Sequence, residues 1–163
     1  MDKIIEKISS YNIFNNLLPG VVFCLLADIF LVVPLVQSSV INGLFLYYFV
    51  GLVISRFGSV FIEPLLKKIG VVNFSSYLDY VSASKKDPKI ELLSEVNNMY
   101  RTFLAMIILL LLTASYKFIL NTWPQMAAGC TFVVTVALLA LFLLAYKKQT
   151  KYIHERVLAN RSL

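Results

Sequence analysis

Three ionisable residues stand where ionisable residues are costly. Asp28, Arg56 and Glu63 lie inside or at the edge of long apolar runs. A charge near the middle of a bilayer costs roughly 2.5–3.5 kcal/mol on insertion scales, so each group needs a partner, a polar path or a route to the headgroups. Asp28 is the twelfth residue of an apolar run over 17–36. Arg56 lies about seven residues, or ~10 Å of helical rise, from the end of the next run over 40–62. In antiparallel neighbours the two groups then lie within ~6 Å of each other in depth. Two readings follow: a buried Asp28–Arg56 pair lining the core or a polar path, or separate solutions. In the second, Arg56 snorkels to the headgroups and Asp28 is neutral or paired across an oligomer interface. Glu63 follows Arg56 at i+7, on nearly the same helical face, and Pro64 ends or kinks the helix there. Gly51, Gly58 and Ser59 on the same stretch read as packing residues that let helices approach in lipid, with a gate or kink as the functional alternative.

Other chemistry finds little to work with. His154 is the one histidine and stands beside Glu155 in a charged tail, the pattern of a solvated helix face. Cys24 and Cys130 fall in apolar runs without CxxC spacing and read as small buried hydrophobes. There is no HExxH, no metal-spaced His or Cys cluster and no phosphate-cradling glycine loop. A serine nucleophile would lack a base at membrane depth, and a two-aspartate intramembrane protease needs a second acid where Asp28 is alone. Neither enzymatic activity nor a cofactor or metal is expected.

The elements that must position these residues are set by the choice of solvent. Apolar residues make up 59% of the 163 residues, against roughly 45–50% in soluble domains, and the mean hydropathy is +0.77. Such a chain cannot coat a water-soluble globule with polar surface. Its apolar residues are also gathered into blocks, and four blocks approach the ~20 residues that a ~30 Å hydrocarbon core requires. These are residues 17–36, 40–62, 102–120 and 126–146, in an all-α polytopic membrane protein of four transmembrane helices. The connections Gln37-Ser38-Ser39 and Asn121-Thr122-Trp123-Pro124-Gln125 are short and predict two antiparallel hairpins. A cleavable signal peptide is not expected, because Asp2 and Glu6 precede the first run and Pro19-Gly20 interrupts it.

The net charge of +6 could suggest nucleic acid. Its placement argues for topology instead: Lys3 and Lys7 precede the first run, and the other clusters lie in the central segment 63–101 and the tail 147–163. Neither short turn carries Lys or Arg, although Lys117 stands just before the second. The positive-inside rule then puts both termini and the central segment in the cytoplasm. Direct nucleic-acid binding is not expected; contact with anionic membrane lipids is. Within the central segment Asp87-Pro88 is a helix start, Asp as cap and Pro at the first position. It predicts one long helix into the third span, and a short helix or turn over 74–82 ahead of it. The fourth span is expected to continue as a polar helix to about Leu158. Residues 1–14 place Ile4, Ile5, Ile8 and Tyr11 on one face, which fits either an interfacial amphipathic helix or a simple extension of the first span. The asparagines between Tyr11 and Pro19-Gly20 fit an anchor at the headgroups, or a ligand or partner site.

With the outer turns so short, the sizeable aqueous surface is cytoplasmic. The candidate partner surface comprises Lys67, Lys68, Lys85, Lys86, Lys89, Glu91, Glu95, Arg101, Lys147, Lys148, Lys151 and Arg156. On the stretch from Tyr11 to Gly20 and the element from Arg56 to Glu63-Pro64, the chain resembles the four-helix membrane subunits of the Kiwa anti-phage defence systems. The resemblance implies a homo-oligomer, a tetramer, in a bacterial inner membrane. It also implies a soluble cytoplasmic partner subunit that acts on or binds phage DNA, and a sensing role without catalytic residues. The expected function is therefore a non-enzymatic membrane sensor or scaffold in antiviral defence. The alternatives are an oligomeric channel or pore-forming effector and, behind it, a small transporter built around Asp28.

Overall fold

The computed structural model describes residues 13–31 and 33–161. Among them every regular element is helical. A π-helical turn, Ile13–Leu17, leads into α1 (Leu18–Leu31). Then come α2 (Val40–Phe57), a wide π-helical turn (Gly58–Ile62) and α3 (Glu63–Lys68), which together form one bent rod. A short α4 (Tyr77–Lys86) precedes two long helices, α5 (Lys89–Thr122) and α6 (Ala127–Arg161), joined by a 3-10 turn at Pro124–Met126. The α2–α3 rod, α5 and α6 are each long and apolar enough to cross a membrane, and Asn15–Leu31 is a shorter apolar helix. This defines a helical membrane protein. The interfacial helix considered over residues 1–14 lies almost wholly outside the described residues.

Local chemistry fixes the helix ends. Pro34 drives Val33 out of the helical region, so α1 stops at Leu31 rather than running to residue 36. The chain turns there with Leu35 N donating to the Val33 carbonyl at 2.8 Å, and Gln37 N donates to the Tyr47 hydroxyl at 3.0 Å. Gly70, at φ 77°, closes α3. Val71 N reaches the Leu66 carbonyl at 3.0 Å and Gly70 N the Lys67 carbonyl at 3.2 Å, the paired bonds of a left-handed helix cap. Ser76 Oγ accepts from Asp79 N at 3.1 Å to start α4. Asp87 Oδ1 accepts from Lys89 N at 3.0 Å to start α5, where Asp87-Pro88 predicted it.

The core lies among α1, α2 and α5. Phe23, Cys24 and Ala27 meet Ile54, Ile62, Ala105 and Met106. Without an oil–water contrast to hold helices together in lipid, contact has to come from close backbone approach. Gly20 lies against the Tyr47 carbonyl and Gly51 against the Asn16 carbonyl, each so close that a Cβ would fall inside the oxygen's van der Waals shell. Gly58 similarly admits α5, its Cβ position lying 3.2 Å from the Ala105 Cβ and 3.4 Å from the Arg101 carbonyl. The last helix, α6, is covered sparsely along its apolar part. Along its membrane part it touches the rest through Phe142, stacked 6.5 Å from Phe49, and through buried Leu141 and Ala145. Beyond that it packs against α4, with Tyr152 stacked on Tyr77. Although a short turn joins α5 to α6, the two do not pack along their lengths. Phe132 and Leu139 on α6 stay 70% and 63% exposed, which suits lipid rather than water as their surroundings.

Candidate functional site: a cationic vestibule around Glu63

The site begins with a missing hydrogen. Pro64 has no backbone N–H, and its ring crowds the preceding turn of any helix that contains it. The chain responds by widening that turn. Glu63 N donates to the Gly58 carbonyl, an i→i+5 bond. The next carbonyl in this pattern, that of Ser59, would be served by residue 64, which has nothing to donate. A buried carbonyl left so costs free energy comparable to a lost hydrogen bond. Lys148 of α6 fills the gap: its Nζ donates to the Ser59 carbonyl at 2.6 Å and to Ser59 Oγ at 3.0 Å.

The same ammonium reaches Glu63 Oε1 at 3.2 Å. Glu63 is 7% exposed and gathers two further cations. Lys67, one turn on, meets Oε1 at 3.1 Å, and Arg101 of α5 meets Oε2 through one guanidinium nitrogen at 2.5 Å. One carboxylate therefore ties the α2–α3 rod, α5 and α6 together by charge-assisted hydrogen bonds, roughly twice as strong as neutral ones. Gly58 is what lets α5 come near enough for Arg101 to reach.

Around this knot is a cavity of about 920 Å³. Arg56, Glu63, Lys67, Arg101 and Lys148 line it, with Ser59, Ser94, Asn97, Asn98 and Gln149 among the polar groups. Aromatic rings form a further wall: Tyr77 and Tyr152 stack at 5.0 Å with 16° between planes, and the Lys67 ammonium lies 4.3 Å from the Phe74 ring centroid. Four cations and two acids, Glu63 and Asp79, face the space. The Asp79 carboxylate accepts from the Ser76 hydroxyl at 2.6 Å.

A second lysine repeats the device at the other proline. Leu31 ends α1, and its carbonyl would pair with Leu35 N in a continuing helix. Pro34 diverts Leu35 N to Val33, and Lys117 of α5 donates its ammonium to the Leu31 carbonyl instead. A cation at a helix C-terminus is also favoured by the helix dipole.

The sequence-derived candidates are thus distributed unevenly. Glu63 is central, and Lys67, Arg101 and Lys148 converge on it. Arg56 faces the same cavity, but no ion pair among the described residues joins it to Asp28. Asp28 is half-buried on α1. Glu63 and Arg56 are not simply stacked along one face, because the wide turn underwinds the helix between them. Lys68, Lys86, Lys89, Glu91, Lys147 and Lys151 are exposed, Glu95 is half-buried, and Lys151 meets Glu155 at 3.7 Å. Lys85 and Arg156 make contacts of their own. Cys24 and Cys130 are free thiols and His154 is exposed. Among the described residues no three His, Cys, Asp or Glu side chains stand together as a metal site.

Sequence reasoning missed the capping roles of Lys117 and Lys148. Their signal was the two prolines, each of which frees a carbonyl that some donor must meet. Asn15 and Asn16, expected to anchor the chain at the headgroups or to serve a ligand or partner, are 1% and 5% exposed where the first turn packs against α2. If Lys148 answers Pro64, the two substitutions are coupled. Lys148→Met is expected to cost about 1–3 kcal/mol by stranding the Ser59 carbonyl. In a Pro64→Ala background the cost should shrink, as a regular amide can then serve the turn. A double-mutant cycle of thermal stability in detergent measures the coupling; strict additivity would remove this account of Lys148.

Compared with known protein families, with curated proteins and with solved structures, the chain matches none of them. Its class, a helical membrane protein with a charged head at one end, therefore rests on its own chemistry.

Proposed function

We propose that the chain is a non-enzymatic sensor or scaffold of a bacterial inner membrane, which crosses the bilayer four times and presents its charged head to a soluble cytoplasmic partner. The observation that carries this reading is the continuity of α5 and α6 with the knot at Glu63. Thirty-four residues of α5 rise ~50 Å, some ~20 Å more than a hydrocarbon core. The surplus lies on the side of Arg101. A tilt or shift of α5 against α6 in lipid is carried to the head, because Arg101 and Lys148 hold one carboxylate from two helices. The reversed order of contacts, Asn16 with Gly51 and Gly20 with Tyr47, supports an antiparallel first hairpin. The scarcely covered α6 supports a homo-oligomer, and the resemblance to the Kiwa membrane subunits supplies tetramer, defence and partner as one consistent set.

Tagged protein expressed from its own locus and purified in mild detergent is expected to bring down a soluble partner in fixed ratio. Charge reversal at exposed Lys86 and Lys89 should release it. Recovery of the membrane chain alone, together with labelling of a cysteine at Ser38 only from the cytoplasmic side, would overturn the reading.

An oligomeric pore is the second reading, favoured by Asp28, half-buried in α1 with no ion pair among the described residues. Liposome ion flux that falls several-fold in Asp28→Asn would support it, and flux indifferent to that change would remove its motive.

A further inference from the structure

We propose that the vestibule around Glu63 is a binding site for a phosphate-bearing anion. The inference deepens the sensor reading by naming what the head would bind, and it rests on that reading only for the side of the membrane that the cavity faces.

The charge count points to an anion. Arg56, Lys67, Arg101 and Lys148 face the cavity against Glu63 and Asp79. The cations exceed the acids by two, and in a cleft with low-dielectric walls such an excess favours a counterion of the opposite sign. The cations are not fully used by the protein. Arg101 spends one terminal nitrogen on Glu63, while its Nε is buried with no hydrogen-bond acceptor among the described residues. The Arg56 side chain forms neither a hydrogen bond nor an ion pair among the described residues. Two guanidinium groups with donors to spare suit phosphate, whose oxygens match their planar fork.

The shape agrees. At about 920 Å³ the space lies within the ~300–1,000 Å³ typical of small-molecule sites. The lining joins hydroxyl and amide groups to the tyrosine wall, so a phosphate on the cationic floor would leave room for a larger organic portion. The floor is also pre-organised. Glu63 already holds three cations together, so an incoming phosphate finds them gathered rather than dispersed. The carboxylate repels the phosphate, and the excess of cations has to outweigh that repulsion.

Phosphate esters reach such a place from two sources, the headgroup of an anionic lipid or a soluble nucleotide. Purified protein in neutral detergent should be titrated by calorimetry with pyrophosphate and with ATP. In parallel, its melting temperature should be compared in nanodiscs of pure phosphatidylcholine and in discs containing phosphatidylglycerol. Saturable binding in the first arm assigns a soluble ligand, and a rise of several degrees in the second assigns a headgroup. In either arm Arg56→Gln should weaken the response at least ten-fold. Lys67→Gln, at a residue whose side chain is 42% exposed, should weaken it less. Arg56→Gln removes no side-chain bond among the described residues, so its fold is expected to survive, and an unchanged circular-dichroism spectrum checks this. Absence of both responses, or responses equal in wild type and Arg56→Gln, would overturn the proposal. Neither arm contains a protein partner, so this failure is distinguishable from failure of the recruitment reading.

Discussion

Gly51→Ala is expected to dismantle the pairing of α1 with α2. A methyl at residue 51 falls on the carbonyl oxygen of Asn16, and one at Gly20 falls on that of Tyr47. Overpacking ordinarily costs about 1–3 kcal/mol, because neighbouring side chains rotate or shift to relieve it. Here the obstruction is backbone on both sides, and no rotamer change moves it. The two helices must separate along their whole contact, taking the packing of Phe23, Cys24 and Ala27 against Ile54 with them. A loss above about 3 kcal/mol is expected, beyond the ordinary range for overpacking. The measurement is the fraction of monodisperse protein after heating in mild detergent, with Gly20→Ala run beside it. Gly129→Ala provides the control. Among the described residues nothing lies within 4 Å of its added methyl, and replacing glycine inside a helix should stabilise by about 0.5–1 kcal/mol. If Gly51→Ala melts with wild type, the close approach of these helices is wrong.

The second large effect belongs to Glu63. Glu63→Gln keeps the volume of the side chain and removes the charge that Lys67, Arg101 and Lys148 share. Removing one partner of a buried ion pair costs about 3–5 kcal/mol, since the other charge stays behind uncompensated. Three cations would remain, repelling one another. Water in the vestibule lowers the penalty, because Lys67 and Lys148 side chains are 42% and 24% exposed; about 2–3 kcal/mol is expected after this screening. The damage should be local. Hydrogen exchange should rise in α3 around Lys67 and in α6 around Lys148, which these bonds hold, and stay low around Ala27 and Ile54 in the packed core. High salt should restore part of the loss by screening the repulsion among the remaining cations. Uniform exchange through head and membrane segments alike, or none beyond wild type, contradicts a knot at Glu63.

These two predictions differ in how far the sequence foreshadows them. Gly51, Gly58 and Ser59 are visible as small residues suited to helix approach, but sequence cannot say that Gly51 meets Asn16. Glu63 with Arg56 at i+7 looks like one polar stripe on a regular helix. The proline that follows Glu63 breaks that regularity with a wide turn, and the carboxylate meets Arg101 and Lys148 instead. Those partners come from segments 38 and 85 residues away. Nothing in local spacing distinguishes them from the solvated lysines beside them. Lys147 and Lys148 are adjacent in sequence, yet helical phase turns one outward and the other into the vestibule.

What the sequence determined by itself is the nature and extent of the rods. Apolar blocks of sufficient length demand helices, because only a helix satisfies every backbone group within one segment in lipid. Their ends follow from local chemistry at Asp87-Pro88, Gly70 and Pro34. Tertiary structure alone decided which helices touch and which charges meet. It paired α1 with α2 through two glycines, left α5 and α6 apart despite their short connection, and added Arg101 and Lys148 to the Lys67 that helical spacing already sets beside Glu63. The reason is range. Hydropathy, capping and proline geometry act within a few residues, whereas a carbonyl freed in one helix can be answered by a lysine on any other that packs near enough.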